Sequence, residues 1–325
     1  MSDSPALRGQ LRHDEPMARH VSWRAGGAAR TFYQPADVGD LCAFLRTVAP
    51  GEAILFVGLG SNLLVRDGGF AGTVIFTHHA LTGIAATGDV SQSRDAIQPG
   101  AGSGSPGEIG VRPRLRPVVE AGAGVPLPHV ARFAAKHGAG GGEWMCGVPG
   151  TVGGALAMNA GCYGGETWNH VLAVRTVDRA GALHLRQPAD FVTGYRQVAP
   201  RQAREEWFVS AVFVFERGDE AASMASMREL LSRRVASQPL NQPNAGSVFR
   251  NPPNDHAARL IESCGLKGFT IGGAKVSCKH ANFIVNTGGA SASDIEATID
   301  HVEAVVRART GVALHREVRI VGGAR

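Results

Sequence analysis

The sequence predicts an α+β protein in three parts, and three stretches carry that expectation. Residues 143–165, EWMCGVPGTVGGALAMNAGCYGG, hold seven glycines and one proline. They are nevertheless apolar, through Trp144, Met145, Val148, Val152, Leu156 and Met158. A flexible linker would be polar, so this reads as a buried turn that brings bare backbone against a ligand or a neighbouring sheet. The segments 171–177, 182–185 and 208–215 are rich in β-branched and aromatic residues and read as strands of an antiparallel sheet. The last ~90 residues mix helical and strand patterns and read as a separate α+β unit.

Taken in order, residues 1–19 are polar and read as a loose arm. His20 to Arg30 reads as a short strand entering a glycine turn. Residues 37–49 carry Val38, Leu41, Cys42 and Leu45 on one helical face, stopped by Pro50-Gly51. Residues 53–57, AILFV, are a buried strand, followed at once by Gly58-Leu59-Gly60-Ser61-Asn62 and the apolar Leu63-Leu64-Val65. Residues 73–77 make a further strand. Residues 88–114 are rich in Gly, Ser, Pro and Arg without periodicity and read as an exposed loop. Pro126 to Lys136 is a short helix closed by His137-Gly138, and residues 221–235 are another, ended by Pro239 and Pro243. In the terminal unit, Ala257 to Cys264 is a helix with Gly265 at its C-cap. Asn282 to Asn286 is a strand. Ser293 and Glu296 have capping-box spacing before a helix that stops at Gly311, and Arg316 to Val321 closes the chain as a strand.

Composition narrows the function. The chain has 325 residues, 44% hydrophobic and 19% charged, with net charge +5. That is ordinary globular composition with room for two or three cores. The basic balance favours anionic ligands such as nucleotides and carboxylates. Nucleic-acid binding is not expected, because basic residues are scattered and aromatics are only 6%. Five scattered cysteines form no metal-spaced cluster, so no metal is expected and free thiols in a cytoplasmic protein are. No apolar h-region opens the chain and no run of about 18 apolar residues occurs, so neither a signal peptide nor a membrane span is expected.

The glycine turns suit phosphate. Successive backbone N–H groups in such turns form anion-binding nests, and the Gly147–Gly154 run leads into a stretch, 155–158, able to open a helix. The Gly-x-Gly turn at Gly58–Gly60 lacks the third glycine and helix of the dinucleotide fingerprint. Taken alone, the 143–165 stretch also fits a packing turn between two sheets.

Several stretches together, WRAGGAAR, VGLGSNLLVRDGGFAGTVI, GVPGTVGGALAMNAGCYGGE, GYRQ, NAGSVFRNP, GGAKVSCKHANFIVN and HREVRIVG, resemble the UDP-N-acetylenolpyruvoylglucosamine reductase family in order and spacing. GAKVSCKHANFIVN resembles its shorter subclass. The resemblance runs from about Val21 to the C-terminus, outside 88–114. It implies a two-subdomain FAD-binding module of the vanillyl-alcohol oxidase/PCMH type, at 20–80 and 81–220, followed by a C-terminal α+β substrate-binding domain at 221–325. It implies noncovalent FAD, NADPH as co-substrate in the same pocket as the substrate, and a nucleotide-sugar substrate. In the family, hydride goes to the terminal vinyl carbon of the enolpyruvyl group, and a proton must reach the neighbouring carbon.

Such a reaction needs a cation for the substrate carboxylate, a group that answers its changing charge, and an acid. Arg196 matches the family's arginine, Glu317 its glutamate and Ser247 its proton donor. Without the match, Arg196 reads as a solvated loop residue, Glu317 as an outward strand carboxylate and Ser247 as a local turn cap. For FAD the resemblance offers Gly58, Gly60, Ser61, Asn62, Leu63, Gly147, Pro149, Gly150, Gly153, Gly154, Asn159 and Gly161, with Arg234 and Arg319 as further candidates. Tyr195, Asn251, Lys275 and His280 are candidates for the substrate. Leu59 departs from the all-glycine turn often seen in the family and fits if its φ is negative. Two other readings compete: a flavin oxidase of the same fold, and a nucleotide-binding regulator without turnover. The C-terminal GSVF and EVR motifs argue against the first, since an oxidase has no use for a proton donor to a reduced alkene, and the joint presence of Arg196, Ser247 and Glu317 argues against the second.

Overall fold

The computed structural model describes residues 6–91 and 115–324. The first lobe is a four-stranded sheet in the order Gln10–Pro16, Ala28–Gln34, Phe70–Phe76, Ile54–Val57. The first pair is antiparallel and the other neighbours are parallel. Residues expected as a loose arm therefore form an edge strand, followed by a fully buried Met17. Sequence pattern misses this strand because only Glu15 of its seven residues is buried, so it lacks an apolar face. Main-chain pairing holds it instead. The strand expected from His20 begins at Ala28, and Val21–Trp23 form a turn. Helix α1 spans Val38–Leu45, with Asp37 accepting a hydrogen bond from the Asp40 amide at its N-cap.

The second lobe is a five-stranded antiparallel sheet in the order Leu183–Arg186, Val171–Asp178, Glu206–Val214, Leu115–Gly122, Ile84–Ser91. The last strand takes in the first four residues of the expected loop 88–114; residues 92–114 lie outside the described residues. Helices α2 (Leu127–Lys136), α3 (Val152–Met158) and α4 (Glu220–Ser237) bury apolar side chains in this lobe's core. The packing of α4 differs from the expected boundary at 221: Met227 is buried in the core built from residues 119–215.

Residues 238–324 form a three-stranded sheet, Thr270–Ile271, Ala274–Val276, Ile284–Asn286, with helices α5 (Ala257–Ser263) and α6 (Ala292–Thr310). The capping box of α6 is Ser291 with Asp294, two residues before the expected pair. Ser293 and Glu296 are committed elsewhere: the Ser293 amide and hydroxyl donate to Asp67, and Glu296 accepts two 2.8 Å hydrogen bonds from Arg66. The closing strand is only Arg319–Val321, and it returns to pair in parallel with Leu63–Val65 of the first lobe.

A second tie is Trp23. It is fully buried in the core of the C-terminal unit, with Nε1 donating to Ile284 O at 2.8 Å and its own carbonyl accepting from Asn286 Nδ2 at 3.0 Å. Trp23→Ala removes a large buried ring and leaves the Ile284 carbonyl without its indole donor, while the bond from Asn286 Nδ2 to the main-chain carbonyl of residue 23 remains. We expect a loss of about 3–5 kcal/mol in unfolding free energy, measured by denaturant titration. A change under about 1 kcal/mol would mean the ring is not what joins these parts.

Candidate active site

The lobes meet at a cavity of about 470 Å³, a size usual for cofactor and ligand sites. Its walls begin with the two glycine turns. After the strand Ile54–Val57 the chain turns through Gly58, Gly60, Ser61 and Asn62 into Leu63, all bordering the cavity. Gly60 has φ +59°, and a Cβ there would overlap His20 O. Leu59 is not among the positive-φ residues, so the departure at this position is accommodated. The second turn brings Gly147, Pro149, Gly150 and Gly154 to the same cavity. A Cβ at Gly150 or Gly154 would meet no protein atom closer than 3.6 Å, so their backbone faces open space.

Gly153 points the other way. Its amide donates to Ala123 O at 2.9 Å, and a Cβ would press on Ala123 at 3.0 Å. It packs α3 against the sheet and does not border the cavity.

Thr151 lies between these turns, 1% exposed, and its Oγ1 has no hydrogen-bond partner among the described residues. The threonine borders the cavity. An orphaned buried hydroxyl is costly unless a ligand satisfies it. Together with the bare glycine backbones, it fits a flat, polar-edged cofactor. Sequence reasoning passed over it because a lone threonine in a glycine run reads as a turn residue.

Arg196 sits at the tip of a hairpin formed by Phe191–Gly194 and Gln197–Pro200. Its φ is +54°, a left-handed conformation disfavoured for a residue with a Cβ. Three contacts hold the side chain there. Nε donates to Glu317 Oε1 at 2.8 Å, Nη2 to Gly161 O at 2.6 Å and Nη1 to Asn159 O at 3.3 Å. Its guanidinium carbon lies 5.0 Å from the centre of the Tyr195 ring. Asn159 is buried at the C-cap of α3 and does not border the cavity. Its amide nitrogen instead donates to Gly194 O at 3.1 Å and Glu166 Oε2 at 2.9 Å, which fixes the hairpin to the helix.

Glu317 borders the cavity with its side chain 14% exposed. Burial pushes its carboxyl above the ordinary glutamate value, against the pull of Arg196 and, less, of Arg250. Asn62 Nδ2 donates to Glu317 O at 3.1 Å and couples the first glycine turn to this residue. Ser247 borders the same cavity, and no described residue hydrogen-bonds its hydroxyl.

Of the other candidates, Gly161, Tyr195, Asn251, Arg234 and Arg319 also border the cavity. Asn251 Oδ1 accepts from Ala257 N at 3.1 Å at the start of α5. Arg234 hydrogen-bonds Gln238 Oε1 at 2.7 Å and, among the described residues, forms no ion pair. Burial pushes its guanidinium pKa down. Lys275 and His280 lie outside the cavity. Lys275 borders a separate depression with Lys279. The His280 ring packs edge-on against Phe283, and burial lowers its pKa. Cys162 borders the main cavity, but burial raises its thiol to about 11, which makes it a poor nucleophile.

Among the described residues no helix is long and apolar enough to cross a membrane, and no group of three or more His, Cys, Asp or Glu side chains could hold a metal.

A family model for the C-terminal domain of UDP-N-acetylenolpyruvoylglucosamine reductase matches residues 238–321, and one for an FAD binding domain matches residues 115–185. A UDP-N-acetylenolpyruvoylglucosamine reductase of Thiobacillus denitrificans is 58% identical over 98% of this chain and 94% of its own length. One from Nitrosospira multiformis is 51% identical over 98% of this chain and 91% of its own. The crystal structure of the UDP-N-acetylenolpyruvylglucosamine reductase of Thermus caldophilus aligns with a TM-score of 0.73 at 26% identity, covering 97% of this chain and 99% of that one.

Proposed function

The chain belongs to the UDP-N-acetylenolpyruvoylglucosamine reductase family, and from that premise we propose that it uses NADPH and noncovalent FAD to reduce the enolpyruvyl group of UDP-N-acetylenolpyruvoylglucosamine. The product is UDP-N-acetylmuramate, for peptidoglycan precursor synthesis in the cytoplasm. The supporting observation is that Arg196, Glu317 and Ser247 border one cavity with both glycine turns.

Bound FAD supplies a hydride acceptor for NADPH and a hydride donor for the alkene. The protein's own residues do the rest. Backbone amides of the 58–62 turn and of Gly150 and Gly154, with the Thr151 hydroxyl, would hold the cofactor. Arg196 turns its guanidinium to the substrate carboxylate, a bidentate contact that lysine cannot copy. Tyr195 covers that contact. Glu317, released from Arg196, answers the charge that grows on the carboxylate. Ser247 Oγ–H breaks as a new C–H bond forms at the carbon next to the carboxylate, and solvent reprotonates the serine.

Two tests follow. Purified enzyme should oxidise NADPH beyond the one equivalent that reduces its flavin only when the enolpyruvyl substrate is present, and the product should carry two added hydrogens by mass. NADPH oxidation that needs only oxygen would indicate an oxidase. Thr151→Val keeps the shape but removes the orphaned hydroxyl. FAD affinity should fall about ten-fold, from the loss of one hydrogen bond, while the melting temperature of the apoprotein stays the same or rises. Unchanged affinity would remove Thr151 from the cofactor site.

A further inference from the structure

The backbone around Ser247 is held from two sides. Before it, Gly246 has φ +72° and donates its amide to Asn244 Oδ1 at 2.9 Å, closing a tight turn. After it, the chain meets Asn282, which is 3% exposed. The Asn282 carbonyl accepts from Val248 N at 2.9 Å. Its side chain then pairs with both polar groups of Phe249: Oδ1 accepts from Phe249 N at 3.0 Å, and Nδ2 donates to Phe249 O at 2.8 Å. One carboxamide thus replaces a whole peptide unit of a missing strand. An aspartate has the shape without the donor, and a leucine has neither donor nor acceptor.

The opposite edge of the segment is bound to the residues around Glu317. Val248 O accepts from Glu317 N at 2.7 Å and Val318 N at 3.3 Å, and Arg250 N donates to His315 O at 2.9 Å. The segment 248–250 therefore lies between Asn282 and residues 315–318. Ser247 is the residue immediately before it, with its hydroxyl unbound by any described residue.

We infer that Asn282 is a positioning residue for proton delivery: by pairing both main-chain groups of Phe249, it fixes Ser247 Oγ toward the cavity and in register with Glu317. The inference rests on the reading of Ser247 as proton donor. A hydroxyl is a weak acid whose use depends on placement, and misplacement by about 1 Å costs on the order of 10²-fold. Asn282 itself needs no contact with the reacting atoms to exert that effect.

The test uses the FAD-loaded enzyme with Asn282→Ala, Asn282→Asp and, in parallel, Ser247→Ala. Flavin reduction by NADPH and flavin reoxidation by the enolpyruvyl substrate are timed separately in H2O and in D2O, and melting temperature and FAD content are recorded. We expect both Asn282 variants to slow reoxidation by about 10- to 100-fold with an enlarged solvent isotope effect, while flavin reduction and FAD content stay near wild type. Wild-type reoxidation and isotope effect in a folded Asn282 variant, beside a slow Ser247→Ala, would overturn the inference and leave the Ser247 reading standing. So would equal losses in both half-reactions, or failure of both Asn282 variants to fold and hold FAD, since those mark a structural role alone. Wild-type reoxidation in Ser247→Ala would instead remove the proton-donor reading on which the inference rests.

Discussion

Ser247→Ala is expected to leave flavin reduction by NADPH near the wild-type rate and to slow flavin reoxidation by the enolpyruvyl substrate by about 10²- to 10⁴-fold, the usual worth of a positioned acid. The asymmetry follows from the chemistry. Delivery of hydride from NADPH needs no proton at the substrate carbon, whereas saturation of the enolpyruvyl group needs one. The site offers Ser247 as a hydroxyl that borders the cavity without an internal hydrogen bond. The segment 248–250 that follows it is held between Asn282 and residues 315–318, so truncation should leave the walls in place and the melting temperature close to wild type. Stopped-flow absorbance separates the two half-reactions. Equal rates of reoxidation in variant and wild type would remove Ser247 as donor.

Replacing Arg196 should have two separable consequences. Arg196→Lys keeps one positive charge but loses the fork that donates to Glu317 Oε1, Gly161 O and Asn159 O. We expect kcat/KM for the enolpyruvyl substrate to fall by about 10²- to 10³-fold, roughly 3–4 kcal/mol, from lost charge-assisted contacts. Arg196→Ala adds a folding penalty of up to about 3 kcal/mol, because it strands a largely buried carboxylate. The sign with pH is determined. Burial already raises the Glu317 pKa, and Arg196 is the largest opposing influence, so its removal raises the pKa further. The folded protein then holds a proton that the unfolded chain does not. Stability from that proton is present below the unfolded glutamate value and is lost as pH rises through the folded one. Thermal melts of Arg196→Ala should therefore show a larger deficit against wild type at about pH 8 than at about pH 5. A deficit that is constant or shrinks over that interval would contradict the burial of Glu317 charge.

These residues also show what the amino-acid order can and cannot reveal. Helices α2, α5 and α6 and the strands of the second lobe follow hydrophobic periodicity, which one face against a core imposes. The edge strand Gln10–Pro16 has almost no buried side chain, so nothing in its pattern marks it. Helix α4 has the expected apolar face, but a periodicity cannot say which lobe receives it. The capping box moved from Ser293 to Ser291 because Arg66 and Asp67, more than 200 residues away in sequence, claim the nearer side chains.

At the site, short motifs located Arg196, Ser247 and Glu317, and the cavity joins them. The same reading included Gly153, Asn159, Lys275 and His280, which lie outside it. A motif gives neighbours in sequence, and every second or third residue of a turn points away from the ligand side. Thr151 and Asn282 were missed for the converse reason. Each looks ordinary in sequence, and its significance is a partner relation: an orphaned hydroxyl in one case, a paired carboxamide in the other.

The most direct measurement is made without oxygen. Yellow enzyme is mixed with NADPH until the flavin bleaches, and UDP-N-acetylenolpyruvoylglucosamine is then added. The proposed function predicts rapid return of the oxidised flavin spectrum, with one molecule of UDP-N-acetylmuramate formed per flavin. A flavin that stays bleached until air enters would contradict it.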